Sequence, residues 1–167
     1  MTLLQTRTPP DGFRLVQRWE LDSVHALAGL RSSLHEVITG EAEMPAEDLT
    51  ETPARIVLVA SELATNALRH ATAPRTVRLF ARDHELLLDV VDHDPATPPV
   101  VSGGRPLGEG GFGLRLAQRL ASQVGWYSRG TAKHVWASFP VTDHETVACG
   151  PRALDGMRLG PRSQAVA

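Results

Sequence analysis

Between His93 and Gly111 the chain places Pro95, Pro98, Pro99 and Pro106 together with Gly103, Gly104, Gly108, Gly110 and Gly111. Proline removes a backbone donor and glycine gives up the most conformational entropy on ordering, so this span reads as loop throughout. A loop of that length inside a compact domain is functional or disordered. It divides the patterned part of the chain into two blocks. In the first, Phe13–Leu21 alternates loosely as a strand. Asp22 or Ser23 is placed to cap a helix over about Val24–Ile38, where Val24, Leu27, Leu30, Leu34 and Ile38 recur at helical spacing. After a break at Thr39–Ala46, a longer helix is expected over about Ala46–Ala71, dented near Thr52-Pro53 and stopped by Pro74. Two strands follow, Arg75–Ala81 and Glu85–Val91, joined by Arg82-Asp83-His84. The second block is a helix over about Phe112–Gln123 and strands near Gly125–Ser128 and His134–Phe139.

That order predicts an α+β fold, a two-layer sandwich with a mixed, mostly antiparallel sheet and helices on one face. The length of 167 residues suits one domain with trimmings. Residues 1–12 are expected as a mobile arm, 13–140 as the ordered domain, and 141–167 as a disordered tail punctuated by glycine and proline.

Composition removes several functions. Seventeen Lys+Arg against nineteen Asp+Glu, a net charge of −2, lacks the basic excess that direct nucleic-acid binding requires. One cysteine, Cys149, excludes an internal disulfide and a cysteine zinc cage. The beginning, MTLLQTRTPPDG, has no secretory apolar stretch and no run reaches membrane-spanning length, so the expectation is a cytoplasmic protein that engages no membrane. Lysine occurs once, at Lys133, which rules out a lysine-containing P-loop.

Three segments have residues suited to chemistry. On Ser61–Ala71 a helix of about 100° per residue aligns Glu62, Asn66 and His70 as a polar stripe. Ile56, Ala60, Leu63, Ala67 and Ala71 form the apolar face beside it. The carboxylate and carboxamide offer oxygens for a hard cation or a water, or they are a solvated surface with i,i+4 partners. In Leu88–Pro95, Asp92 stands where an apolar strand passes into loop. There it accepts a hydrogen bond from an exocyclic amine such as that of adenine, or it forms a turn ahead of the proline. In Gly108-Glu109-Gly110-Gly111-Phe112-Gly113 the glycines open a helix, a setting for an anion, or act as a hinge. No acid occurs between Gly110 and Thr142, while Arg115, Arg119, Arg129 and Lys133 are positive, a balance that favours polyphosphate.

The last segment spells GxGxxG, but a Pro/Gly loop rather than a strand precedes it and no acid follows until Asp143. That context excludes the dinucleotide-binding reading. A conventional protein kinase is excluded by length and by the lack of HRD and DFG.

Taken in order, ELATNALRHA (Glu62–Ala71), VVDHDP (Val90–Pro95) and GEGGFGLRLAQRLA (Gly108–Ala121) resemble the N box, the adenine-binding aspartate box and the glycine box of the GHKL ATP-binding family, whose fold is the Bergerat fold. The similarity covers about residues 13–140 and is nearest to the stand-alone anti-sigma factor and serine-protein kinase branch, whose last strand VWASFP (Val135–Pro140) resembles. The resemblance implies ATP and Mg²⁺ as cofactors. It makes Asn66 the Mg²⁺ ligand, Glu62 the general base, and Asp92 the acceptor for the adenine amine. Gly108, Gly110, Gly111, Phe112, Gly113 and Leu114 would cradle the phosphates, under a lid from about Asp94 to Gly110. Two departures stand out: Asp94 occupies the place of the glycine in the family's D-x-G, and Lys133 or His134 stands where a threonine commonly supports the adenine site, with Thr131 slightly upstream.

What the resemblance implies for activity is an ATP-binding regulator that phosphorylates a Ser/Thr on an anti-sigma antagonist and itself sequesters a sigma factor, as a homodimer through the first strand and helix. The alternatives are a non-catalytic module whose lid is set by ATP, and a purely structural use of all three segments.

Overall fold

A computed structural model describes residues 2–40, 52–101 and 112–141. Its elements are β1 (Thr2–Leu3), β2 (Arg14–Leu21), α1 (Ala26–Thr39), α2 (Thr52–His70), β3 (Arg75–Arg82), β4 (Glu85–Asp92), β5 (Val100–Val101), α3 (Phe112–Leu120), β6 (Gln123–Arg129) and β7 (Ala132–Pro140). Five strands form one sheet in the order β2-β3-β4-β7-β6, every ladder antiparallel. Among the described residues a parallel pairing occurs at the bridge between Thr6 and Trp126. The expected α+β, mostly antiparallel architecture is therefore the observed one.

Register explains which side of the sheet is buried against helices. Val77 faces Val90, Leu79 faces Leu88 and Ala81 faces Leu86, and the latter two continue across to Ala137 and Phe139. With a side-chain period of two, this row lies on the helix side, where it joins Leu30, Leu34 and Ile38 of α1 and Ile56, Val59, Ala60 and Leu63 of α2 in a single core. The helical stripe expected on α2 is the one that is buried, through Ile56, Ala60, Leu63 and Ala67. Asp92 and its cross-strand neighbour Lys133 fall on the same side as Val90 and Val135.

Several boundaries differ from the sequence reading, each for a local reason. α1 begins at Ala26, after a turn in which the Ser23 carbonyl accepts the Ala26 N–H, so neither Asp22 nor Ser23 caps it by side chain. Residues 46–51, expected in α2, lie outside the described part, and Pro53 is accommodated in the first described turn. α3 stops at Leu120 rather than Gln123 because Ser122 turns to β7, its N–H and hydroxyl both donating to the Ser138 carbonyl at 2.9 and 3.0 Å.

The largest departure is at the start of the chain. The arm expected to be mobile is laid along the domain. β1 pairs antiparallel with β5, a two-residue strand inside the stretch read as loop throughout. Leu4 is 3% exposed and belongs to the core. Past it the chain runs along the β6 edge, where the Arg7 N–H donates to the Trp126 carbonyl and the Trp126 N–H to the Gln5 carbonyl. Arg7 then crosses to the other face: its carbonyl accepts the Trp136 indole N–H at 2.8 Å and its guanidinium stacks 5.2 Å above that ring. A Cβ at Gly125 would stand 2.6 Å from the Arg7 Cγ, so only glycine admits this crossing.

Candidate functional site

α2 carries Glu62 and Asn66 one turn apart on its half-buried flank, next to the apolar stripe that anchors the helix to the sheet. Neither the Glu62 carboxylate nor the Asn66 carboxamide has a hydrogen-bond partner among the described residues. α3 packs against this flank at its first turn. A Cβ on Gly113 would lie 2.9 Å from the Glu62 Cβ, 3.1 Å from the Asn66 Nδ2 and 3.2 Å from the Glu62 backbone carbon. Real Cβ atoms essentially never come as near as 2.9 Å, so glycine at 113 is what lets the two helices meet there. The first and third sequence segments thus converge. Phe112 is 41% exposed beside them, whereas Leu114 is 5% exposed and belongs to the core. A backbone amide at a helix start holds a phosphate well; the Leu114 side chain packs instead. Gly108, Gly110 and Gly111 lie outside the described residues.

Asp92 arrives at the same side of the sheet by strand parity. The end of β4 is held close to the end of α2: the His93 N–H donates to the Thr72 carbonyl at 3.1 Å, and Arg75 donates to the carbonyls of Ala67 and Ala71. Asp92 is buried, at 4% exposure, and its two oxygens have different partners. Oδ1 accepts the Asp94 N–H at 2.9 Å, a turn closed by the side chain. Oδ2 lies 3.3 Å from the Lys133 ammonium. The turn-forming reading of Asp92 is thus correct as far as it goes, and it leaves the carboxylate facing the helix layer.

Lys133, counted among the four positive residues of the stretch that favours polyphosphate and offered with His134 as the residue at the adenine site, is buried at 8% exposure against Asp92 and donates to the Thr97 carbonyl at 3.3 Å. Arg115 and Arg119 of α3 and Arg129 are exposed. The signal for Lys133 was positional, since it stands where the family places threonine; alternation then decides between the two candidates. His134 points to the opposite face, where its Nδ1 lies 3.1 Å from the Asp89 carboxylate, beside Arg78 and stacked on Tyr127 with ring centroids 4.4 Å apart. His70, the third member of the polar stripe, is exposed. A recess of about 570 Å³ between the arm and the outer face is lined by Arg78, Asp89 and Tyr127 and by none of the predicted site residues.

Residues 22–139 match the family described as the histidine kinase-like ATPase domain. The chain belongs to that family. No curated protein matches it. Two solved structures are similar in fold. The RsbU and RsbW domains of Rv1364c from Mycobacterium tuberculosis align with 19% identity and a TM-score of 0.49, over 74% of this chain and 32% of that one. The histidine kinase domain from the Erythrobacter litoralis EL346 blue-light activated histidine kinase aligns with 22% identity and a TM-score of 0.43, over 74% of this chain and 63% of that one. The chain therefore spans about a third of the first and less than two thirds of the second. No helix among the described residues is long and apolar enough to cross a membrane.

The residues present fit the nucleotide and metal that this family implies. Carboxylate and carboxamide oxygens are the hard donors Mg²⁺ prefers, and it ordinarily completes its shell with water and substrate phosphates. Among the described residues no group of three or more His, Cys, Asp or Glu side chains could hold a metal alone; Asn66 would hold the ion together with phosphate oxygens and water, with the Glu62 carboxylate one turn away.

Proposed function

We propose that this domain binds Mg-ATP between α2, α3 and the β4 end, and transfers the terminal phosphoryl group to a Ser/Thr of a small protein antagonist in an anti-sigma system. The observation that carries the reading is the packing of Gly113 against Glu62 and Asn66, which brings two of the three motif segments to one place. Asn66 would hold Mg²⁺ through its carboxamide oxygen, and the ion would supply charge neutralisation for the phosphates. Glu62, half-buried beside it, takes the proton from the incoming hydroxyl as the oxygen–phosphorus bond forms and ADP departs. The N–H groups of Phe112, Gly113 and Leu114 at the α3 start donate to phosphate oxygens. Asp92 accepts the adenine amine. Positioning and charge neutralisation suffice for this chemistry, and no covalent enzyme intermediate is needed.

The partner is a protein, an anti-sigma antagonist or the sigma factor itself. A homodimer through β2 and α1 belongs to the same proposal: β2 is an edge strand of the sheet, and Leu15 and Val24, at 53% and 58% exposure, are unusually uncovered apolar side chains on that flank. A second reading, an ATP-dependent partner-binding module without transfer, draws support from Asp94 in the glycine's place and from the Lys133 pair beside Asp92.

Incubation with γ-labelled ATP, Mg²⁺ and candidate antagonists separates the two. Glu62→Ala is expected to abolish transfer, by about 100-fold or more, while nucleotide affinity measured by calorimetry stays within about threefold. Binding without transfer in the unsubstituted protein would leave the second reading standing.

A further inference from the structure

The base-recognition end of the site contains one charge more than the family pattern calls for. Lys133, the single lysine of the chain, is buried with its ammonium 3.3 Å from Asp92 Oδ2. An isolated buried ammonium is costly, and this one is stabilised by the carboxylate and by the Thr97 carbonyl at 3.3 Å. An ammonium has three N–H donors and no acceptor, and two of the three have partners among the described residues. Each Asp92 oxygen holds one partner, Asp94 N–H on Oδ1 and Lys133 on Oδ2, and a carboxylate oxygen has room for a second. The pair therefore offers one unused donor directly beside unused acceptor capacity. Both lie on the helix side of adjacent strands, at the end that α2 closes.

We propose that Lys133 and Asp92 read the purine edge jointly: the carboxylate accepts from the exocyclic amine and the ammonium donates to the adjacent ring nitrogen N1. This rests on the nucleotide reading above and deepens it into a specificity mechanism. A hydroxyl or a water at the position of Lys133 can turn to donate or accept, whereas an ammonium only donates. The pair thus fixes the order donor-then-acceptor on the base. Adenine presents that order. A guanine held in the same pose presents a carbonyl to the carboxylate and an N–H to the ammonium, so both contacts become repulsive. A charge-assisted hydrogen bond in a buried setting corresponds to a change of about ten- to hundredfold in affinity.

The test compares Mg-ATP with Mg-1-deaza-ATP, in which N1 is replaced by C–H, by calorimetry on the full chain and on Lys133→Met. The expected result is that the unsubstituted protein binds ATP about ten- to hundredfold more tightly than 1-deaza-ATP, and that Lys133→Met removes this gap by weakening ATP alone. Equal affinity of the unsubstituted protein for the two nucleotides overturns the proposal, as does a Lys133→Met variant that keeps the gap or binds ATP more tightly. Because the atom deletion on the ligand needs no variant, the comparison holds even where removing one partner of a buried pair prevents folding. The double substitution Asp92→Asn with Lys133→Met then supplies a charge-neutral background, in which the gap is again expected to vanish. Failure of the unsubstituted protein to bind either nucleotide overturns the nucleotide reading itself, an outcome distinct from binding without discrimination.

Discussion

Gly113 and Tyr127 show how single residues set the two faces of this sheet. At Gly113 the obstacle to any side chain includes backbone of α2, which cannot swing aside, so Gly113→Ala must push α3 off Glu62 and Asn66. Such overpacking costs about 1–3 kcal/mol. The expected outcome is a lower denaturation midpoint with a loss of Mg-ATP affinity, read by urea unfolding and calorimetry on the same preparation. Tyr127, the only tyrosine, lies stacked on His134. Burial of the ring, and after it the Asp89 carboxylate, raise the phenol above its ordinary 10.0. Because the folded value exceeds the unfolded one, the stability held in the neutral phenol is complete below pH 10 and is lost as pH climbs through the folded value. Phenolate absorbance near 295 nm should therefore rise at higher pH in the folded protein than in urea.

The N-terminal arm is the element whose behaviour most exceeds its sequence. Its composition carries prolines and little periodicity, and nothing in twelve residues announces a partner. The partners are distant: Trp126 donates its indole N–H to the Leu4 carbonyl, and Trp136 donates its own to that of Arg7. An edge strand left open invites pairing with another chain, and the arm covers the middle of the β6 edge. Leu4→Ala is expected to lower stability by about 2–5 kcal/mol, the range for a buried leucine, read by urea unfolding. Hydrogen exchange gives the sharper check. Deleting residues 2–12 should speed exchange of the Trp126 amide, which the Gln5 carbonyl accepts, while the amides of β4, paired on both sides, remain slow.

For the molecule as a whole, ligand linkage connects the site to stability. A nucleotide that binds only the folded state at 100 times its dissociation constant adds about 2.7 kcal/mol. Mg-ATP should raise the melting temperature, and Asn66→Ala should remove most of that shift without lowering the melting point of the free protein, since Asn66 has no partner among the described residues. The legible part of the structure was local. Apolar spacing on α2 and the short apolar-rich runs of β3 and β4 are local signals, because helix and strand periods follow from the backbone, and the polar stripe Glu62–Asn66 comes with the helix. The motifs and their order were likewise sufficient for the family. Contacts between segments far apart in the chain were not legible. The docking of residues 2–12, the β1–β5 pairing and the burial of Lys133 on Asp92 each depend on which strand lies beside which. The sequence by itself determined the main helices and the strands of the larger sheet, the buried stripe and the α+β class; the tertiary structure decided which charges are paired and that residues 2–7 are held, because those energies exist only once remote residues share one dry interior.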